Sequence, residues 1–147
     1  MSLLYADPSA LARAYLADEP DHDDLRRLLL DRTAAVVTSE IARIELASAV
    51  KSALRAGRIR NTDRLHDRID DDTGEGGAIF LAELRPRAIM PYAHKLVRTY
   101  RLRTLDAIHL AVALEDAPSF AGSAEVVLVT RDAYQAAAAR ALGLSVR

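Results

Sequence analysis

Short apolar runs alternate with amphipathic stretches along the whole chain. Ser2 to Ala6 (SLLYA) is apolar and stops at Asp7, which predicts a first strand. Pro8-Ser9 then opens a helix, because proline suits the first helical turn, with Leu11, Tyr15 and Leu16 on its apolar side. Asp21 to Asp24 form the acidic start of a second helix carrying Leu25, Leu28 and Leu29. Ala34 to Thr38 (AAVVT) predicts a second strand. Ser39 is expected to cap a long helix that runs to about Ala56 and is stopped by Gly57. Its expected core stripe is Ile44, Ala47, Val50 and Leu54.

Arg58 to Ile69 reads as a charged helix, and Asp70 to Gly77 (DDDTGEGG) as a loop. Ile79 to Leu84 fits either strand or helix, and Ala88 to Met90 fits a short strand before Pro91. Pro91 to Tyr100 and Thr104 to Asp116 predict two helices, the second capped by Thr104. Ala117 to Glu125 is an expected loop, Val126 to Thr130 a buried strand, Arg131 to Ala141 a helix, and Leu144 to Val146 a last strand. Strands alternating with helices predict an α/β fold with a mainly parallel sheet. The strands are apolar throughout, as expected when helices cover both faces. No repeat or linker interrupts residues 1–147, so one domain is expected. Ligands of such sheets bind outside the carboxyl ends of the strands.

Net charge is -1, so any surface that holds nucleic acid must be locally basic. The absence of cysteine excludes disulfides and thiolate metal sites and suits a reducing cytoplasm. No apolar run reaches membrane-spanning length, so no membrane partner is expected. With five tyrosines and two phenylalanines, a base-stacking sheet surface is not expected.

Candidate chemistry lies in four acids set in or beside apolar segments: Asp7, Glu45, Asp106 and Asp132. Each has an ordinary explanation. Asp106 suits the first turn of a helix, Glu45 a solvated helix flank, and Asp132 an N-cap. Their coincidence is harder to explain singly. Four converging carboxylates repel one another, and a hard divalent cation such as Mg²⁺ or Mn²⁺ relieves that repulsion. The four histidines lack HExxH spacing, which speaks against zinc, and His109 is expected to be a hydrogen-bonded core residue. The acids at 70–72 fail the calcium-loop pattern, because Gly74 takes a ligand position. Arg13, Lys51, Arg101 and Arg103 stand near the acids in sequence and are candidates for nucleic-acid phosphates; a solvated helix face explains them equally well.

The segments LLYADPSALARAYLADE, TSEIARIELASAV, YRLRTLDAIHLAVAL and VLVTRDAYQAAAARALGL resemble the PIN domain, and most of all its VapC-type toxins. The resemblance implies a three-layer α/β/α fold and a metal-dependent endoribonuclease. By position, Asp7, Glu45 and Asp106 would be the central acids and Asp132 the fourth, with Ser9 and Thr130 bonded near the metal. Pro8 departs from the family, where a threonine often follows the first aspartate. The same resemblance implies an RNA substrate, with tRNA or rRNA expected, a homodimer, and a cognate VapB-like antitoxin. Two other readings stay open. A phosphatase-like phosphoryl-transfer domain would want a second aspartate where Ser9 stands. A non-catalytic RNA- or protein-binding module would keep the acids without the reaction.

Overall fold

The computed structural model describes residues 1–147. Its strands are β1 (Ser2–Ala6), β2 (Ala35–Ser39), β3 (Ile79–Ala82), β4 (Glu125–Val129) and β5 (Ser145–Val146). They form one sheet in the order β3-β2-β1-β4-β5, and every pairing is parallel. The helices are α1 (Pro8–Tyr15), α2 (His22–Leu30), α3 (Ala42–Arg55), α4 (Asp63–Thr73), α5 (Pro86–Thr99), α6 (Thr104–Glu115), α7 (Ala117–Ala121) and α8 (Ala133–Ala141).

Alternate strand residues face opposite sides of a sheet, and here they divide the core in two. Leu3, Tyr5, Val37 and Leu128 pack with α5, α6, α7 and α8. Leu4, Ala6, Val36 and Val129 pack with α1, α2, α3 and α4. The result is the expected three-layer α/β/α arrangement, and the sheet is wholly rather than mainly parallel. No helix is long and apolar enough to cross a membrane.

Several boundaries differ from expectation for physical reasons. Ser39 ends β2 instead of capping α3, which starts at Ala42 without a side-chain cap. The buried stripe of α3 is Ala42, Leu46, Val50 and Ala53, while Ile44 is 74% exposed. Arg58 does not begin a helix: its guanidinium is held by Asp18 and Glu19, and α4 starts at Asp63, whose backbone N–H donates to the Asn61 side chain. Asp70 to Thr73 extend α4 rather than forming a loop. Asp72 is buried there and accepts hydrogen bonds from the Tyr15 hydroxyl at 2.9 Å and the Arg68 guanidinium at 2.8 Å. Gly77 follows at a point where any Cβ would lie 2.2 Å from the Asp72 carbonyl oxygen, so this close turn requires glycine. Residues 88–90 belong to α5, which carries Pro91 inside it. The carbonyl that loses its partner, on Arg87, is on an exposed residue where water replaces the bond. The expected loop after Asp116 contains the short α7.

Burial and the Asp72 charge hold the Tyr15 phenol well above its ordinary value near 10. The folded chain keeps the proton that the unfolded chain releases above about pH 10. This contribution to stability is complete below pH 10 and is lost as pH rises further. One such proton steepens the fall by about 1.4 kcal/mol per pH unit. Denaturant unfolding between pH 8 and 12 should therefore show a shallower alkaline decline for Tyr15→Phe than for wild type. The variant should also start about 1 kcal/mol less stable at pH 8, having lost its bond to Asp72.

Candidate active site at the carboxyl edge of the sheet

Because all five strands are parallel, their carboxyl ends share one edge, and the segments that leave it carry the acids. Asp7 directly follows β1 and N-caps α1, with its carboxylate accepting the Ser9 backbone N–H at 2.9 Å. Pro8 at the first helical position needs no donor there, so the departure from a threonine leaves the cap intact. The Asp7 backbone N–H donates to the Val129 carbonyl, which ties the start of α1 to the end of β4. Asp132 N-caps α8, accepting the Gln135 backbone N–H at 2.7 Å. Asp106 lies in the first turn of α6, where the N-cap is Arg103 rather than Thr104.

Gln135 joins these three segments. Its side chain is fully buried; the amide nitrogen donates to Asp7 Oδ1 at 2.9 Å and to the Asp106 backbone carbonyl at 3.1 Å. Its amide oxygen accepts the Thr130 hydroxyl at 2.6 Å. With that proton committed, the Thr130 oxygen accepts from Ser9 Oγ at 3.2 Å and from the Asp132 backbone N–H at 3.1 Å. Ser9 Oγ in turn accepts the Arg131 backbone N–H at 3.0 Å. Ser9 and Thr130 thus brace the acid-bearing backbone. Sequence reading missed Gln135. The available signal was its place three residues after Asp132, the spacing of a capping box, as the one polar residue in an alanine-rich buried face.

Glu45 comes from α3 and is anchored by His109 of α6, whose Nε2 lies 2.5 Å from its carboxylate. His109 is buried, and its Nδ1 lies 2.8 Å from the Tyr5 hydroxyl. A carboxylate only accepts, so Nε2 carries the proton. In the neutral ring Nδ1 then accepts the Tyr5 O–H, while the Tyr5 oxygen accepts the Ser39 backbone N–H at 3.3 Å. His109 is thus the hydrogen-bonded core residue expected. Tyr5 was not foreseen as a participant.

Arg103 is the only cation bonded to the aspartates. Its Nε lies 3.2 Å from Asp106 and its Nη2 3.7 Å from Asp132. Burial still pushes the Asp106 carboxyl above its ordinary value, with the charges of Asp7 and Asp132 adding and Arg103 opposing. Arg101 stacks on the ring of Tyr134, 4.5 Å from its centroid. Arg13 sits in the last turn of α1, about 9 Å along the axis from Asp7, and is paired with Asp21 at 3.9 Å. Lys51 lies on the exposed side of α3, a similar distance beyond Glu45.

No three histidine, aspartate or glutamate side chains are already grouped at ligating separation. The donor set nevertheless fits a hard cation. All the donors are carboxylate oxygens, three of the acids are coupled electrostatically, and each bonded oxygen of Asp7 retains a lone pair. Asp7, Asp106 and Asp132 would hold such an ion, with Glu45 reaching it from the neighbouring helix.

The raised Asp106 value has a stability sign. Its charged form is disfavoured by folding, so the penalty is absent below about pH 4 and complete above the folded-state value. Asp106→Asn should therefore raise the thermal midpoint of cation-free protein at pH 7 by about 1–3 °C. That gain should narrow as pH falls toward 4. Differential scanning fluorimetry with Mn²⁺ at about ten times its Kd should add about 1.4 kcal/mol to the wild type and much less to the variant.

No curated protein matches this chain. A family profile described as PIN domain matches residues 4–141, from β1 to the end of α8. PIN domains are generally metal-dependent nucleases. The match covers all four acids and nearly the whole sheet, and the chain belongs to the PIN domain family.

Proposed function

We propose that this protein is a Mg²⁺- or Mn²⁺-dependent endoribonuclease that acts as the toxin of a VapBC-type pair. The observation that supports it best is the meeting of Asp7, Asp106 and Asp132 at one sheet edge, where the Gln135 side-chain amide bonds Asp7 and the Asp106 backbone and its backbone N–H bonds Asp132. A structural protein gains nothing from holding three carboxylates where one of them is pushed out of its ordinary range. PIN membership also displaces the phosphatase-like reading, and Ser9, where that chemistry would need an acid, is instead bonded to Thr130.

When bound, the cation neutralises the phosphate and lowers the pKa of water, the two demands of phosphodiester hydrolysis. The protein's part is positional. Gln135 and the Ser9 backbone N–H fix the Asp7 carboxylate from two sides. His109 fixes one oxygen of Glu45 and leaves the other to take the proton of the attacking water. Arg103 is 85% exposed and reaches over Asp106 and Asp132, where it can meet a phosphate oxygen. The reaction calls on no ribose hydroxyl, so preference for RNA, with tRNA or rRNA as targets, would arise in the surrounding groove.

Purified protein incubated with total RNA should give discrete cuts in Mg²⁺ or Mn²⁺, and none in EDTA. Asp7→Asn and Asp106→Asn should each lower the rate at least about 100-fold. Cutting that survives both substitutions would sink the nuclease reading, and a complete lack of cutting by folded protein would favour a binding module.

The toxin assignment makes a separate prediction. Expressed with its native neighbouring genes, the tagged protein should co-purify as a homodimer with a small antitoxin that suppresses cleavage. Purification from the native host with no small partner would remove the toxin assignment and leave general RNA turnover.

A further inference from the structure

A cleft of about 590 Å³ opens directly beside the acids. Its lining includes Asp106 and Asp132 together with Tyr100, Arg101, Arg103 and Tyr134. Two features of this wall are unusual for the chain. Tyr134 is 50% exposed and, unlike the exposed Phe80 and Phe120, lines the cleft with the acids. Arg101 places its guanidinium carbon over that ring, 4.5 Å from the centroid.

Tyr134 is fixed by more than chance. It is the second residue of α8, whose cap is Asp132, so the ring is carried on the same rigid helix start as one of the acids. The hydrogen bonds of Gln135 anchor the very next residue to Asp7 and Asp106. The backbone that carries the ring is therefore held in place relative to all three aspartates. An exposed tyrosine with nothing to bind gains little from such anchoring, since its ring could sit anywhere on the helix surface.

We infer that this cleft is a nucleobase subsite, in which the base next to the scissile phosphate of a single-stranded RNA stacks on the Tyr134–Arg101 pair. The inference rests on the nuclease reading for its function, but not for its geometry. An aromatic ring and a planar guanidinium both offer flat faces to a base, and every base presents one in return. Arg103 lines the same cleft and is bonded to Asp106 and Asp132, so a strand whose base enters the cleft would bring its phosphate to that guanidinium beside the acids. Charge complementarity thus favours an anionic backbone over an apolar peptide. The other exposed aromatics, Phe80 and Phe120, pack on each other and do not line the cleft, so one stacked base, rather than a run of them, is the expected contact.

The test is RNA binding in EDTA, where cleavage is off. The probe is a set of single-stranded RNA decamers, each carrying one 2-aminopurine, whose fluorescence is quenched on stacking. Wild type and Tyr134→Phe should bind and quench a probe at one position. Tyr134→Leu should weaken binding about 5–100-fold and lose the quench. In Mn²⁺, Tyr134→Leu should raise KM for the corresponding oligonucleotide with kcat largely kept, and its thermal midpoint should match wild type.

Wild-type quenching and KM in the leucine variant would overturn the subsite while leaving a nuclease that still depends on Asp7. Failure of every decamer to bind would also overturn it. Quenching lost with leucine and kept with phenylalanine, but with no cleavage under any metal, would instead uphold the subsite and sink the nuclease reading.

Discussion

Like charges held close together at the carboxyl edge of a parallel sheet set the terms for everything around them. Asp7, Asp106 and Asp132 arrive from three separate elements, and each charge raises the cost of its neighbours. Two devices keep the arrangement folded. Helix starts put backbone N–H groups against Asp7 and Asp132, which give each carboxylate a hydrogen-bond donor. Gln135 then spans from Asp7 to the Asp106 backbone as a neutral donor, so it binds the acids without cancelling their charge. A lysine or arginine in its place would neutralise the site it supports. Removing the amide would leave a buried carboxylate oxygen and a threonine hydroxyl short of partners, at about 1–3 kcal/mol each.

Glu45 is positioned by a different logic. It belongs to α3, on the far side of the sheet from α6, and nothing in its own helix holds it. The chain from Ser39 N–H through Tyr5 and His109 crosses the sheet edge and ends at its carboxylate. Burial, the nearby Asp7 charge and the Glu45 charge keep the Tyr5 phenol protonated well above its ordinary range, so it remains a donor to the imidazole. A buried tyrosine in a strand thereby decides which nitrogen of a helical histidine faces an acid. The Ser39 hydroxyl, buried beside this chain with no hydrogen-bond partner, is the one such orphan in the structure.

The fold was largely legible because parallel strands buried on both faces leave unbroken apolar runs, as in LLYA and VVLV. The acids were legible for a related reason: a charge at the end of such a run has few ordinary explanations. What the sequence hid was conformational context. Pro91 ends a helix in most settings, yet here its unpartnered carbonyl belongs to an exposed residue and α5 continues. Asp70 to Asp72 have loop composition, but Arg68 and Tyr15 neutralise and bind Asp72, so the helix extends. The core stripe of α3 was right at Val50 and off by one or two residues elsewhere, because alanines on both flanks blur the period. Gln135, Tyr5 and Tyr134 are ordinary residues in ordinary patterns, and only their partners, more than twenty residues away, reveal what they do.

The contrast between the two edges of the sheet separates room from chemistry. A larger hollow, about 630 Å³, lies at the amino edge, lined by Met1, Leu4, Ala34, Ala78, Val127 and Arg147 among others. It is lined by no acidic side chain. Strand direction explains the difference. At the amino edge, helices end and their carbonyls point outward, which repels anions. At the carboxyl edge, helices begin, and their N–H groups stabilise carboxylates and suit phosphates alike. Acids that must hold a cation yet admit an anionic backbone are therefore best held at the carboxyl edge, even though the cleft there is the smaller of the two.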